Sequence, residues 1–206
     1  MIYKILESGF IYDLAQSLIG ADAVRNYFIE NYLPHHPGQK ILDIACGPGS
    51  FVPYLARLPN IDYIGVDVNP GYIERAKKRY PDFGNFLCYS ISKPVNFGTC
   101  EFDVAIGLGI LHHLSDEETI PLFKLAYESL KPGGRFITMD TCYKNGQNFI
   151  AHWLNRLDRG KYVRTLDEYE KLARNIFPTV HTFDYCGKLR LPSNQTVLIC
   201  EKPLSQ

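Results

Sequence analysis

The sequence lacks an excess of charge of either sign. It has 206 residues, of which 22 are Lys or Arg and 22 are Asp or Glu, so the formal net charge is zero. Domains that bind nucleic acids usually carry a basic excess, because they must neutralise phosphates. The balance therefore argues against a nucleic-acid partner.

The sequence also lacks closely spaced cysteines and long hydrophobic runs. No two of its six cysteines form a C-x-x-C pair; they are Cys46, Cys88, Cys100, Cys142, Cys186 and Cys200. We therefore predict reduced core cysteines rather than a zinc site or a redox pair. We find no run of 18 apolar residues and no signal peptide. A cytoplasmic protein without membrane insertion is expected.

Strand-like and helix-like segments alternate along the chain. Five strands are predicted, at residues 40–44, 63–66, 85–89, 102–106 and 135–139. Two further runs, 181–186 and 196–201, are too close for a parallel crossover and predict an antiparallel hairpin. The length fits one domain. We predict an α/β fold with a single Rossmann-like, doubly wound, mostly parallel sheet of about seven strands, closed by this hairpin.

The starts of three helices are visible in the sequence. Asn69-Pro70 suits an N-cap followed by the first helical residue. The pairs Ser115 to Glu118 and Thr165 to Glu168 have the spacing of capping boxes. Lys131-Pro132-Gly133-Gly134 is expected to end a helix and turn the chain into the next strand.

Residues 41–49, Ile-Leu-Asp-Ile-Ala-Cys-Gly-Pro-Gly, are the most informative stretch. An apolar run reaches the carboxylate of Asp43 and opens into a turn with Gly47 and Gly49. The next apolar run ends at a second carboxylate, Asp67. This order of strand, glycine loop, helix, strand and acid is typical of a nucleoside site at the carboxyl end of a parallel sheet.

Two kinds of nucleoside ligand share this pattern. A dinucleotide site uses a third glycine, but Val52 stands at that position. Asp43 would also repel a pyrophosphate, whereas it suits a ligand with an ammonium and a sulfonium group. Asp67 can accept hydrogen bonds from a ribose in either ligand and does not discriminate between them.

With these residues, the chain resembles the class I S-adenosylmethionine-dependent methyltransferases. The resemblance runs from about Lys40 to Asp140 and is carried by four ordered blocks, at residues 42–49, 65–67, 102–114 and 130–135. It implies S-adenosylmethionine as the cofactor. It also matches the final hairpin to the family's inserted antiparallel strand.

The resemblance implies a set of cofactor contacts. The methionyl part would contact the glycine loop, and the ribose would bind Asp67. The adenine would lie beside Val68, and the reactive methyl would lie over Gly107 and Leu108. The full set is Asp43, Ala45, Cys46, Gly47, Gly49, Asp67, Val68, Ser90, Ile91, Gly107 and Leu108.

Two of these positions depart from the family pattern. Ala45 replaces the first glycine, a change between small residues from which we expect little effect. Ser90 stands where many members have an acid that reaches the adenine amino group. A hydroxyl is a weaker acceptor there.

Methylation of a hydroxyl requires a general base, and His112 and His113 are the candidates. Successive side chains of an extended segment point to opposite sides, so at most one should face the cofactor. By resemblance, His113 stands where the family usually has a histidine, often with a structural role. His112 occupies the variable place before it and is our preferred base. Alternatively, either histidine packs in the core or caps the next helix. No third ligand is spaced to form a metal site with them.

Substrate recognition is expected outside the motif blocks. We divide the single domain of residues 1–206 into an N-terminal helical lid (1–38), a cofactor-binding core (39–140), a substrate-side insertion (141–164) and a last helix with the hairpin (165–206). The aromatic and cationic residues of the insertion suit an anionic acceptor; the alternative is a solvated amphipathic helix. The candidate substrate residues are Tyr12, Gln16, Tyr143, Trp153 and Arg156.

We therefore predict a methyltransferase that moves a methyl group from S-adenosylmethionine to an oxygen or nitrogen atom of a small-molecule acceptor. Two alternatives stay open. One is an NAD-linked oxidoreductase, which Val52 and Asp43 disfavour, and the other is a non-catalytic module that binds S-adenosylmethionine. The sequence does not indicate an oligomeric state.

Overall fold

The computed structural model describes residues 21–91, 99–144, 146, 161–186 and 194–204. Their helices are α1 Ala21–Tyr32, α2 Val52–Leu55, α3 Pro70–Arg79, α4 Asp116–Ser129 and α5 Leu166–Ala173, with a 3-10 turn at Leu111–His113. Their strands are β1 Lys40–Ile44, β2 Asp62–Asp67, β3 Asn85–Cys88, β4 Phe102–Leu108, β5 Leu130–Tyr143, β6 Arg164–Thr165, β7 Thr179–Cys186 and β8 Asn194–Glu201.

The strands form one sheet in the order β3-β2-β1-β4-β5-β8-β7, and β6 pairs with the end of β5. Strands β1 to β5 run parallel to their neighbours, whereas β8 is antiparallel to both β5 and β7. The chain reverses direction across the sheet between β3 and β4, and such a switch point is where open α/β sheets bind ligands. The predicted fold class is confirmed.

Each face of the sheet carries its own apolar core. On one face, α4 and α5 pack against the sheet through residues such as Phe123, Phe136 and Phe177, all fully buried. On the other face, α1, α2 and α3 contribute Phe28, Leu55 and others. Strands with both faces covered must be apolar throughout, which explains the continuous hydrophobic runs in the sequence.

All three predicted helix starts are present. The Asn69 side chain accepts hydrogen bonds from the backbone N–H groups of Gly71 and Tyr72, with Pro70 as the first residue of α3. Both capping boxes also form, at the starts of α4 and α5. In the described ranges, no helix combines the length and the apolar character that crossing a membrane requires.

The expected turn at residues 131–134 follows the end of α4 at Ser129, with Gly133 at a φ of 79°, and it lies within β5, which begins at Leu130. The pairing with β4 shifts register between Phe102 and Val104, so this stretch forms an irregularity within the strand. It is held by the C-terminal chain, because Gly133 N–H donates to the Lys202 carbonyl and Lys202 N–H donates to the Gly134 carbonyl. These long-range bonds hold in place a turn that the local sequence also favours.

The loop after β1 uses three residues with positive φ. They are Ala45 at 64°, Gly47 at 56° and Gly49 at 78°. Glycine adopts this conformation readily, whereas an L-residue with a β-carbon loses about 1–2 kcal/mol in it. Our expectation that alanine at position 45 has little effect is therefore wrong for the backbone, because Ala45 is strained.

Replacing Ala45 with glycine should stabilise the protein. The strain of about 1–2 kcal/mol disappears, and the greater unfolded-state freedom of glycine returns about 0.5–1 kcal/mol of it. We expect the free energy of unfolding to rise by about 0.5–1 kcal/mol, measured by denaturant titration. The corresponding rise in Tm is about 1–4 °C.

Gly47→Ala is the matched control. A β-carbon at Gly47 meets no atom within 4 Å, so this substitution reports backbone strain without a steric clash. It should lower the free energy of unfolding by about 1 kcal/mol. A loss of stability in Ala45→Gly would contradict the assigned strain.

Candidate functional site

The carboxylate of Asp43 is buried at the end of β1, with only 3% of the residue exposed. The Tyr63 hydroxyl donates a hydrogen bond of 2.8 Å to its Oδ2. Burial, and to a smaller extent the nearby Asp67, raise the pKa of Asp43 to about 7 against the lowering effect of the Tyr63 hydrogen bond. A buried acid with this pKa becomes a stable anion once a cation is placed beside it.

Gly65 makes the contact between Asp43 and Tyr63 possible. It pairs with Asp43 in the parallel register of β1 and β2. A β-carbon on Gly65 would lie 2.7 Å from the Tyr63 hydroxyl and 2.9 Å from the Cys46 Sγ. The absence of a side chain there therefore lets Tyr63 reach along β2. Burial also raises the pKa of the Cys46 thiol, so Cys46 stays protonated and acts as a small apolar residue.

Asp67 anchors the glycine loop. Its Oδ2 accepts a 2.9 Å hydrogen bond from the Gly47 backbone N–H, and its Oδ1 accepts one of 2.8 Å from Asn69 N–H. Gly49 lies against the ring of Tyr80, where a β-carbon would approach to 2.9 Å. Each carboxylate oxygen of Asp67 retains a further lone pair, so the residue that fixes the loop can also accept ligand hydroxyls.

A cavity of about 450 Å³ opens between the loops after β1, β2, β3 and β4. This volume falls in the range of small-molecule sites. Five predicted cofactor residues line it, namely Ala45, Asp67, Val68, Ser90 and Ile91. Sequence reasoning missed the rest of the lining, which is Ile44, Val66, Tyr89, Ile110, Leu114, Glu117, Glu118 and Pro121.

The lining is apolar with acidic groups at its margin. Asp67, Glu117 and Glu118 contribute carboxylates, and none of the described lining residues is Lys or Arg. Val68 is 69% exposed, which is unusual for valine and leaves an apolar surface available to a ligand. Such a lining fits a nucleoside with a cationic tail better than a pyrophosphate.

The other predicted cofactor residues are outside the lining of this cavity. Asp43, Cys46, Gly47 and Gly49 lie on β1 and in the loop after it, while Gly107 and Leu108 end β4. The two groups are neighbours, because Ile106 of β4 pairs with Asp43. Gly107 packs closely on the core, since a β-carbon would lie 3.2 Å from the Phe136 ring.

His112 lies in the turn after β4 and is paired with a buried acid. Its Nδ1 is 2.8 Å from Oδ1 of Asp140, and its backbone N–H donates to the same oxygen at 3.3 Å. His112 is 7% exposed and Asp140 2%. A carboxylate at Nδ1 favours the tautomer with the proton on Nδ1, which leaves the Nε2 lone pair to accept a proton.

The two histidines differ in environment. His113 is exposed, whereas His112 is buried, and their ring centroids are 4.2 Å apart. Asp140 was not among our predicted residues. Its position directly after the predicted strand 135–139, at the edge where α/β sheets bind ligands, is the signal that could have identified it.

Arg164 ties the turn that carries His112 to the chain after the insertion. The guanidinium donates to the carbonyls of Leu111, Leu114 and Tyr162 at 2.8–3.0 Å and to Oδ1 of Asp116. Its side chain is only 8% exposed. Arginine suits this position because its planar fork can serve several acceptors at once.

A second contact joins the same two segments. The Tyr162 backbone N–H donates to the His112 carbonyl at 3.0 Å, and β6 pairs with Cys142 and Tyr143 at the end of β5. Hydrogen bonds from Tyr162 and Arg164 thus fix the turn that bears His112. Sequence reasoning did not anticipate β6, because a strand of two residues has no periodicity.

Of the five predicted substrate residues, the described part of the chain includes one, Tyr143. Tyr143 is half-buried at the end of β5, three residues after Asp140. The other four, Tyr12, Gln16, Trp153 and Arg156, lie outside the described residues.

Comparisons with known proteins agree with this geometry. A family model described as "Methyltransferase domain" matches residues 41–134. An uncharacterized methyltransferase from Synechocystis sp. is 32% identical over 104 residues, which cover 50% of this chain and 48% of that protein. Phosphoethanolamine N-methyltransferase 1 from Zea mays is 27% identical over 162 residues, which cover 76% of this chain and 31% of that protein. The chain thus spans about half or less of the length of these relatives.

The fold is shared with a solved methyltransferase. Phosphoethanolamine N-methyltransferase 2 from Haemonchus contortus, in complex with phosphomonomethylethanolamine and S-adenosylhomocysteine, superposes with a TM-score of 0.71. The identity is 16%, over 88% of this chain and 52% of that one. The family model, the relatives and the fold agree with the motif blocks: residues 41–134 are a methyltransferase domain, and they support the resemblance to the class I S-adenosylmethionine-dependent methyltransferases.

Proposed function

We propose that this chain catalyses transfer of a methyl group to an oxygen or nitrogen atom of a small-molecule acceptor, with His112 as the general base. The observation that carries the proposal is the buried His112–Asp140 pair at the end of β4. S-adenosylmethionine, the cofactor of the family, supplies an electrophilic methyl group on a positively charged sulfur. A module that only bound the cofactor would have no need of an oriented histidine, so the pair favours an enzyme.

The transfer balances as an in-line displacement. A lone pair of the acceptor atom forms the new bond to the methyl carbon as the carbon–sulfur bond breaks, and that electron pair stays on sulfur. His112 Nε2 takes the proton that the acceptor atom loses, while Asp140 stabilises the resulting imidazolium. Such a base contributes about 10²–10⁴-fold to the rate.

Asp43 and Asp67 are proposed to hold the cofactor at its two polar ends. The buried carboxylate of Asp43 would bind the ammonium of the methionyl tail, which compensates the cost of its burial. Asp67 would accept from the ribose. The predicted cofactor residues would bind the cofactor along the cavity and the adjoining loop after β1. The same acids disfavour the NAD-linked alternative, because a pyrophosphate would meet like charge.

The acceptor is proposed to be a small molecule that binds beside the segment 141–164. That segment begins directly after Asp140, the partner of the proposed base, and near its end the Tyr162 backbone N–H donates to the His112 carbonyl. The names of relatives support this class: one methylates phosphoethanolamine, and another is a ubiquinone biosynthesis O-methyltransferase from Idiomarina loihiensis. The zero net charge gives no support to a nucleic-acid acceptor.

Calorimetry with S-adenosylhomocysteine and with NAD⁺ tests the cofactor. We expect binding of the former and none of the latter. Asp67→Ala should weaken S-adenosylhomocysteine at least tenfold, because hydrogen bonds to a charged group are worth about 1.5–3 kcal/mol. Asp62→Ala, at the exposed start of the same strand, should leave the affinity unchanged. Comparable heats for NAD⁺ would contradict the assignment.

Affinity for S-adenosylhomocysteine should depend on pH through Asp43. With a pKa of about 7 in the free protein, Asp43 is mostly neutral at pH 6 and mostly charged at pH 8. An ammonium binds the charged form, so affinity should fall as the pH decreases, by up to about tenfold per pH unit below 7, and level off above 8. Calorimetry at a series of pH values measures this slope.

Two comparisons isolate the contribution of Asp43. 5′-Methylthioadenosine lacks the amino-acid tail, so its affinity should not change between pH 6 and pH 8. Asp43→Asn should bind S-adenosylhomocysteine more weakly at pH 8 and lose the slope. A slope that is the same for both ligands would assign the titration to another group.

His112→Ala should reduce kcat by about 10²–10⁴-fold without changing the affinity for S-adenosylhomocysteine. Formation of S-adenosylhomocysteine, followed by mass spectrometry with phosphoethanolamine or a catechol as acceptor, gives the rate. Asp140→Asn should also lower kcat and should alter the pH–rate profile, because the amide no longer favours the tautomer with a proton on Nδ1. His113→Ala is the control on the same turn and should keep most of the activity. Wild-type turnover by His112→Ala at neutral pH would remove His112 from the mechanism.

A further inference from the structure

We propose that Glu117 accepts a hydrogen bond from the adenine amino group of the cofactor and thereby makes the site specific for adenine over hypoxanthine. The inference rests on the proposed function, because it assigns a recognition role within the same cofactor site. It starts from Ser90, which stands where many members of the family have an acid. Recognition of the adenine amino group therefore needs a hydrogen-bond acceptor from elsewhere in the cavity.

The start of α4 supplies such a group to the same cavity. Ser90 and Ile91 line it after β3, and Glu117 and Glu118 line it from the first turn of α4. The same lining includes Val68, for which the resemblance implies an adenine contact. A base that enters this cavity therefore meets a lining that contains both a hydroxyl and carboxylates.

Of the two glutamates, Glu118 is committed to the fold. It is the third residue of the capping box, where its Oε2 accepts the Ser115 backbone N–H at 2.9 Å. Glu117 is outside this reciprocal pair. Hydrogen bonds from its own backbone N–H and from the Ser115 side chain lower the pKa of Glu117, so Glu117 is ionised at neutral pH. An ionised carboxylate has about four acceptor positions, so a contact with Ser115 leaves room for a ligand.

Adenine and hypoxanthine differ in a way that Glu117 can distinguish and Ser90 cannot. The adenine amino group donates a hydrogen bond, whereas the carbonyl that replaces it in hypoxanthine only accepts. A serine hydroxyl can donate or accept, so it can serve either base. An ionised carboxylate can only accept, so it attracts the amino group and repels the carbonyl. Of these two side chains, only the carboxylate can therefore distinguish the two bases.

The test compares calorimetric affinities for S-adenosylhomocysteine and S-inosylhomocysteine, which differ at this one position. The wild-type protein should prefer the adenine compound by about tenfold, a modest ratio because Glu117 is exposed to water. Glu117→Gln should reduce the preference to less than about threefold, since the amide can also donate to the hypoxanthine carbonyl. Its Tm should fall only slightly, because Glu117 is exposed and the substitution removes only a favourable charge in the first turn of α4.

Glu118→Gln is the matched control on the same helical turn. A capping box accepts Gln in place of Glu, so the fold is kept and the tenfold preference should remain. Ser90→Ala should also retain it. An unchanged preference in Glu117→Gln, or a preference lost in Ser90→Ala instead, would overturn the role of Glu117. A wild-type protein that binds neither compound would overturn the proposed function itself, which is a different result.

Discussion

The burial of Asp43 is the constraint on which the cofactor end of the structure depends. A carboxylate with 3% exposure must be hydrogen-bonded, neutralised or paired with a cation. The Tyr63 hydroxyl supplies one hydrogen bond, and Gly65 is without a side chain so that this hydroxyl can reach it. The raised pKa shows that this partner alone does not offset burial. A cation bound beside Asp43 would offset the cost of burying its charge.

The position of His112, the proposed base, depends on contacts from outside the motif blocks. Asp140 orients His112, and Arg164 fixes the carbonyls of the turn that carries it. Because Tyr162 and Arg164 lie at the end of the proposed substrate segment, their hydrogen bonds join that end of the segment to the turn that carries His112.

The sequence contained most of the fold but only part of the site. Apolar runs and capping residues act over a few neighbours, so Asn69, Ser115 and Thr165 could be assigned to helix starts that the structure confirms. The partners of Asp140 and Arg164 lie 28 and 48–53 residues away along the chain. No local pattern encodes such contacts, since they arise only when β4, β5 and β6 come together in the sheet.

Ala45 shows the limit of reasoning from residue size. Alanine and glycine are both small, yet position 45 has a φ of 64°, at which only glycine is free of strain. The strain lies where the β-carbon of Ala45 lines the cavity next to Ile44 and Val66. Glycine would remove both the strain and this apolar wall. Strained residues persist where the surrounding structure over-determines them, often beside ligands. The alanine is thus consistent with an exchange of a small amount of stability for a better-shaped cofactor cleft, the kind of balance that functional sites commonly show.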